Sequence, residues 1–179
     1  IRDGGADNTD SDTRSTILTD LSFTIAGADN IAALAIFEGD GTSNSNISEQ
    51  TTVSSSTAFS GLNLSAADEG TLNFSVYATF NSTVTDNDRI QLTIASASGD
   101  ITGSLFAATD AGAATTSTSG AENQLLVSAS QFAYAQQPSN VAVNVVMTPD
   151  VLVEAVDVNG SRDLDYTGTV SLSTTGSFD

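Results

Sequence analysis

Whatever chemistry this chain performs has to come from carboxylates, amides and hydroxyls. Its 179 residues contain no His, no Cys, no Lys and no Trp, and 22 acidic residues stand against four arginines, a formal charge of −18. Without His there is no Ser-His-Asp or Cys-His catalysis and no His-ligated zinc, copper or haem. Without Lys there is no phosphate-binding lysine and no Schiff base. Without Cys there are no disulfides and no thiolate metal sites. A glycosidase needs only two carboxyls facing across a cleft, but the sole adjacent pair, Asp68 and Glu69, sits on a turn where neighbours point apart. The chain is read as non-enzymatic.

The carboxylates cluster at the chain start and at turns, and the chemistry this suggests is binding of a hard cation. Asp3, Asp7, Asn8, Asp10 and Asp12 crowd one glycine-containing segment. Like charges this close repel by about 1 kcal/mol per pair even in a water-like dielectric. Ca2+, which takes six to eight oxygens from carboxylates and carbonyls, would offset that repulsion. The spacing is not that of an EF-hand. A second set is Asp157, Asn159, Asp163 and Asp165. Asn159-Gly160 is explained as a hairpin turn, whereas Asp163 and Asp165 are explained only by a cation or by pairing with Arg162. A third, Asp86-Asn87-Asp88, reads first as a tight turn with Arg89 as local partner. Solvated acidic loops are the competing account of all three.

The elements that position these groups are strands. Apolar residues alternate with polar ones from Ile17 onward, and turn signals recur about every ten residues, the pattern of an all-β sandwich. Ile17, Thr19, Leu21, Phe23 and Ile25 are expected on one face of a first strand, Ile31 to Glu38 forms a second, and Gly39-Asp40-Gly41 turns the chain. Weaker strands follow near 47–53 and around Phe59, Leu62 and Leu64. Leu72, Phe74, Val76, Ala78 and Phe80 alternate with Asn73, Ser75, Tyr77 and Thr79. Ile90, Leu92 and Ile94 form the next strand, Thr102 to Phe106 a short edge, and Gly112 to Gly120 a long loop. Further strands are expected at 124–128, 132–135, 141–147, 151–156 and 169–173. The eight Phe and three Tyr mostly fall at in-facing positions. A boundary near residue 127 gives a sandwich domain over 1–127 and a partial one over 128–179. About 50 residues cannot supply the roughly seven strands of an immunoglobulin-like sandwich.

The stretch Asp157-Val158-Asn159-Gly160, followed by Tyr166-Thr167-Gly168-Thr169-Val170-Ser171-Leu172, resembles a bacterial immunoglobulin-like repeat, in which an Asn-Gly turn precedes a Tyr-x-Gly-x-Val-x-Leu strand. Ile1 to Gly5 through Ile17 to Thr24 looks like the start of a module that alternates with it. Such pairs occur in giant surface adhesins of gliding and marine bacteria exported by the type IX route. The resemblance implies tandem immunoglobulin-like β-sandwich modules, cell-surface display, and adhesion or filament formation without catalytic residues. Neighbouring repeats or subunits joined head to tail are the expected partners, with host or environmental surface glycans as targets.

Charge and hydropathy fit that expectation. A strongly acidic surface repels nucleic acid and anionic membrane, and no apolar run approaches the roughly 20 residues of a membrane span. Beginning Ile1-Arg2-Asp3 and ending Ser177-Phe178-Asp179, the sequence reads as a segment of something longer. The rival readings are a carbohydrate- or ligand-binding accessory module and an accessory domain of a secreted hydrolase.

Overall fold

In the computed structural model, described over residues 1–42, 46–104, 123–142 and 144–171, the alternating pattern resolves into eight strands in three small antiparallel sheets. The described residues divide into two units, one of Ile1–Val84 and Asp88–Leu125, the other of Thr85–Asn87 and Leu126–Asp179.

The first unit holds six strands: β1 (Thr16–Ala26), β2 (Ile31–Glu38), β3 (Ser48–Gln50), β4 (Ser56–Ala66), β5 (Phe74–Phe80) and β6 (Gln91–Gly99). One sheet is ordered β4-β1-β6 and the other β3-β2-β5. Leu21, Phe23 and Ile25 of β1 and Phe59, Leu62 and Leu64 of β4 form one buried cluster with Leu34 and Ile36 of β2. The two inner faces therefore share a single core, as in a β-sandwich. Each such side chain contributes about 1.5–3 kcal/mol when withdrawn from water. Phe23 and Phe59 meet edge to face at 6.1 Å.

The expected face of β1 is wrong over its first half. Its register slips between Leu18 and Asp20 against both β4 and β6. A one-residue bulge moves every later side chain to the opposite face. Thr16 and Leu18 are consequently buried with Leu21, Phe23 and Ile25, while Ile17 and Thr19 lie on the other side. On the neighbouring strand, Gly61 (φ 67°) and Asn63 (φ 53°) adopt left-handed backbone, and β4 runs on through both.

The second unit contains one two-stranded sheet, β7 (Gln131–Gln136) paired with β8 (Leu152–Val156). Other strands expected there do not form among the described residues. Over 124–128 no strand runs: Gln124, still in the first unit, forms an isolated bridge with Arg89, and the N–H of Val127 is taken by the carboxylate of Asp86. Over 141–147, Val145 N–H bonds the carbonyl of Ala142 and Asn144 is left-handed (φ 63°), so the segment turns. Residues 169–171 are not strand, and Val143, Leu172 and Ser173 lie outside the described residues. In the first unit, the edge expected from Thr102 is reduced to an isolated parallel bridge between Ser104 and Thr16, and Asp100 Oδ1 accepts from both the N–H and the hydroxyl of Thr102, which turns the chain. Phe106 and the loop from Gly112 to Gly120 lie outside the described residues too.

The aromatics are not mainly core. Phe23 and Phe59 are buried and Phe74 packs against them, but Tyr77, Phe80, Phe132, Tyr134 and Tyr166 are all at least 40% exposed.

Candidate metal centres

Asp86 lies on the turn between β5 and β6, in the three-residue piece Thr85–Asn87 that belongs to the second unit. It is buried, and two backbone donors hold its carboxylate: Val127 N–H to Oδ1 at 2.8 Å and Leu164 N–H to Oδ2 at 2.8 Å. Burial pushes its pKa up, but hydrogen bonds from Val127, Leu164 and Asn87 outweigh that and hold it below the usual carboxylate range. A buried carboxylate held charged in this way fixes the local field of its surroundings.

Asp163 and Asp165 follow β8 and come to the same place. One carboxylate oxygen from each of Asp86, Asp163 and Asp165 lies within 4.8 Å of the other two. Asp163 Oδ2 accepts from Ala129 N–H at 2.9 Å, whereas its Oδ1 is buried and has no hydrogen-bond partner. Arg162 pairs with Glu154 at 3.2 Å, not with either neighbouring aspartate. A Ca2+ ion binds oxygen at 2.3–2.6 Å, so oxygens sharing one ion are at most about 5 Å apart. The trio meets that limit and offers an orphaned buried oxygen besides.

Asp157 and Asn159 stand apart from this trio. Asp157 Oδ1 accepts the N–H groups of Asn159 (2.9 Å) and Ser161 (2.7 Å), and Gly160 (φ 89°) closes the turn. Burial raises the pKa of Asp157, but hydrogen bonds, chiefly from Ser161 and Asn159, bring it below the usual range. Its carboxylate is already committed to the turn, as an Asx motif predicts.

At the chain start, Asp3 and Asp10 meet Asp68 of the turn between β4 and β5, again with carboxylate oxygens within 4.8 Å. Asp3 is fully buried. Thr16 Oγ1 donates to its Oδ1 at 2.5 Å and Glu69 N–H to its Oδ2 at 2.9 Å, which ties the first residues to β1 and to the turn. Asp68 is raised above the usual carboxylate range by partial desolvation and by the charges of Asp10, Asp3 and Asp12. Asp7 is exposed, Asn8 Nδ2 bonds Thr71 Oγ1 at 3.1 Å, and Asn8 Oδ1 is buried without a partner. Asp12 serves a local turn, accepting from Arg14 N–H (2.7 Å) and the Ser104 hydroxyl.

Sequence reasoning therefore named Asp3, Asp10, Asp163 and Asp165, which the fold gathers. It also named Asp7, Asn8, Asp12, Asp157 and Asn159, which fall outside both trios. It missed Asp68 as a partner of Asp3, and it weighed Asp86 apart from Asp163. The only available signal for the second pairing was an acidic turn whose aspartates exceed what turn geometry requires. Compared with protein-family models, with curated proteins and with solved structures, the chain matches none.

Proposed function

We propose that this chain is a non-catalytic structural and adhesive module of a large extracellular bacterial surface protein or filament, with Ca2+ locking its second unit. The observation that carries the reading is the meeting of Asp86, Asp163 and Asp165, together with the buried, unpartnered Oδ1 of Asp163. A buried carboxylate oxygen without a donor costs about 1–3 kcal/mol, and three neighbouring negative charges add repulsion. A divalent cation removes both costs. Magnesium suits the site less well, since it keeps its waters and demands octahedral geometry.

The second unit also supports a role in which units join. A two-stranded sheet is marginal by itself in water, and β7 and β8 present Phe132, Tyr134 and Leu152 at 46%, 50% and 56% exposure. Strands from a neighbouring immunoglobulin-like repeat or subunit would cover them, and head-to-tail joining of this kind builds an open fibre when the rotation does not close.

The test is thermal unfolding of the 179-residue chain in millimolar Ca2+, in Mg2+ and in excess chelator. A ligand present at about 100 times its Kd stabilises by roughly 2.7 kcal/mol, which for a chain this size raises Tm by about 5–10 °C. Equal melting temperatures in calcium and chelator overturn the cation reading.

A further inference from the structure

The two outer faces of the first sandwich differ in character. On the β4-β1-β6 sheet the solvent side carries Ser22, Thr24, Ser60, Asn63, Thr93 and Ser96, with the Ser22 and Ser96 hydroxyls bonded across strands at 2.6 Å. That is the usual apolar-in, polar-out alternation. β2 breaks it. Leu34 and Ile36 point into the core, yet the outer positions between and beyond them are Ala33, Ala35 and Phe37. A central strand apolar on both faces belongs to a sheet covered on both sides.

A groove of ≈400 Å³ lies over those outer residues. Its cross-section follows from the register: Ala35 pairs with Glu49 on one side and with Tyr77 on the other. At a strand spacing of about 4.8 Å, the two long side chains stand about 10 Å apart over an alanine floor. Thr79, paired with Ala33, and Thr42 and Asn46 add polar groups around it.

Tyr77 is held in place although about half exposed. Its ring meets Phe37 edge to face at 5.3 Å, its hydroxyl donates to the Asp40 carbonyl, and the backbone of Gly41 packs against it. Binding to a wall that is already fixed loses little side-chain entropy.

We infer that this groove binds a neutral saccharide, one sugar ring lying against Tyr77 over the alanine floor while its hydroxyls bond Glu49, Asn46 and the threonines. An aromatic wall and methyl floor suit the apolar C–H face of a pyranose, and the polar rim suits its hydroxyls. A purely apolar partner would offer nothing for Glu49, Asn46 and Thr79 to bond, and an anionic sugar would face Glu49. The inference is independent of the calcium reading, because every groove residue belongs to the first unit.

The experiment is NMR titration of the 15N-labelled 179-residue chain with cellotriose, maltotriose and triacetylchitotriose, with trigalacturonate as the anionic control. At least one neutral trisaccharide should bind with a Kd of roughly 0.1–1 mM, shifting Ala35, Glu49 and Tyr77 and leaving the β4-β1-β6 face unmoved. Tyr77→Ala should weaken binding by about tenfold or more. Ala35→Leu, which fills the floor and removes no polar group, should do the same and covers the case in which Tyr77→Ala misfolds. Excess chelator should leave the affinity unchanged. No shifts from any neutral trisaccharide at about 10 mM, equal binding of trigalacturonate, or unchanged affinity in both variants overturns the inference.

Discussion

Asp86 and Asp163 bring their carboxylates within 4.8 Å of each other, although one sits on the turn before β6 and the other follows β8. Their roles differ. Both oxygens of Asp86 accept backbone N–H bonds, so this residue organises the loops carrying Val127 and Leu164 whether or not an ion is present. Asp163 gives one oxygen to Ala129 and keeps the other without a partner.

That asymmetry separates two variants. Asp86→Asn places an amide against a backbone donor and should cost about 2–3 kcal/mol even in chelator, and more in calcium, because a charged ligand is lost as well. Asp165→Asn, at an exposed position, should change stability in chelator by less than about 0.5 kcal/mol and yet remove most of the calcium-dependent gain. Urea midpoints in the two buffers measure both. Equal calcium gains in wild type and Asp165→Asn would exclude this trio as the ion's site.

Acid should weaken the second unit. Asp86 and Asp157 have folded pKa values below the usual range, with burial opposing and backbone hydrogen bonds prevailing. A depressed folded pKa contributes stability that is complete above the unfolded value, about 3.9, and is lost as pH falls through the folded one. In chelator, amide exchange protection at Ala155 and Val156 should stay flat from pH 7 to about 5 and decline below about 4.

In the first unit Asp68 has the opposite sign. Asp68 is raised by desolvation and by Asp10, Asp3 and Asp12, so its charged form is penalised in the fold. Its contribution is favourable below the unfolded pKa and is lost as pH rises through the folded one. Asp68→Asn should therefore raise Tm at pH 7 in chelator, by a few degrees at most. A lower Tm would show that Asp68 has a structural partner at neutral pH.

The strands were legible where local rules act alone. β2 runs over Ile31–Glu38, the range its apolar run predicts, because Gly27 and Gly39, both at positive φ, punctuate it on either side. The face of β1 was half illegible, since a bulge is a property of a strand pair and leaves no mark on period-2 counting. The valine-rich stretch at 141–147 has the composition of a strand but turns at Asn144. The cation trios were legible only in part. Acidic excess marked Asp3, Asp10, Asp163 and Asp165, but nothing local joins Asp68 or Asp86 to them across such separations. The groove left no mark in the sequence, because the run over Ile31–Glu38, apolar up to its last residue, does not show which of its faces lies outward.

Two glycines with nearly the same backbone should respond differently to alanine. Gly61 (φ 67°) lies in the bulged part of β4, and a Cβ there would meet nothing within 4 Å. The cost of Gly61→Ala is then only that of holding an L-residue in left-handed backbone, about 1–2 kcal/mol. Gly41 has φ 75°, but a Cβ there would stand 2.6 Å from Tyr77 Cε2 and 3.2 Å from Phe37 Cβ. Gly41→Ala bears the same conformational cost and must also displace the Tyr77 ring from its contact with Phe37. Its destabilisation should exceed that of Gly61→Ala by about 1 kcal/mol or more. Tyrosine fluorescence and urea unfolding of the two variants provide the comparison. Equal midpoints, with unaltered fluorescence in Gly41→Ala, would mean that the loop at Gly41 yields freely and that Tyr77 is not held in place by it.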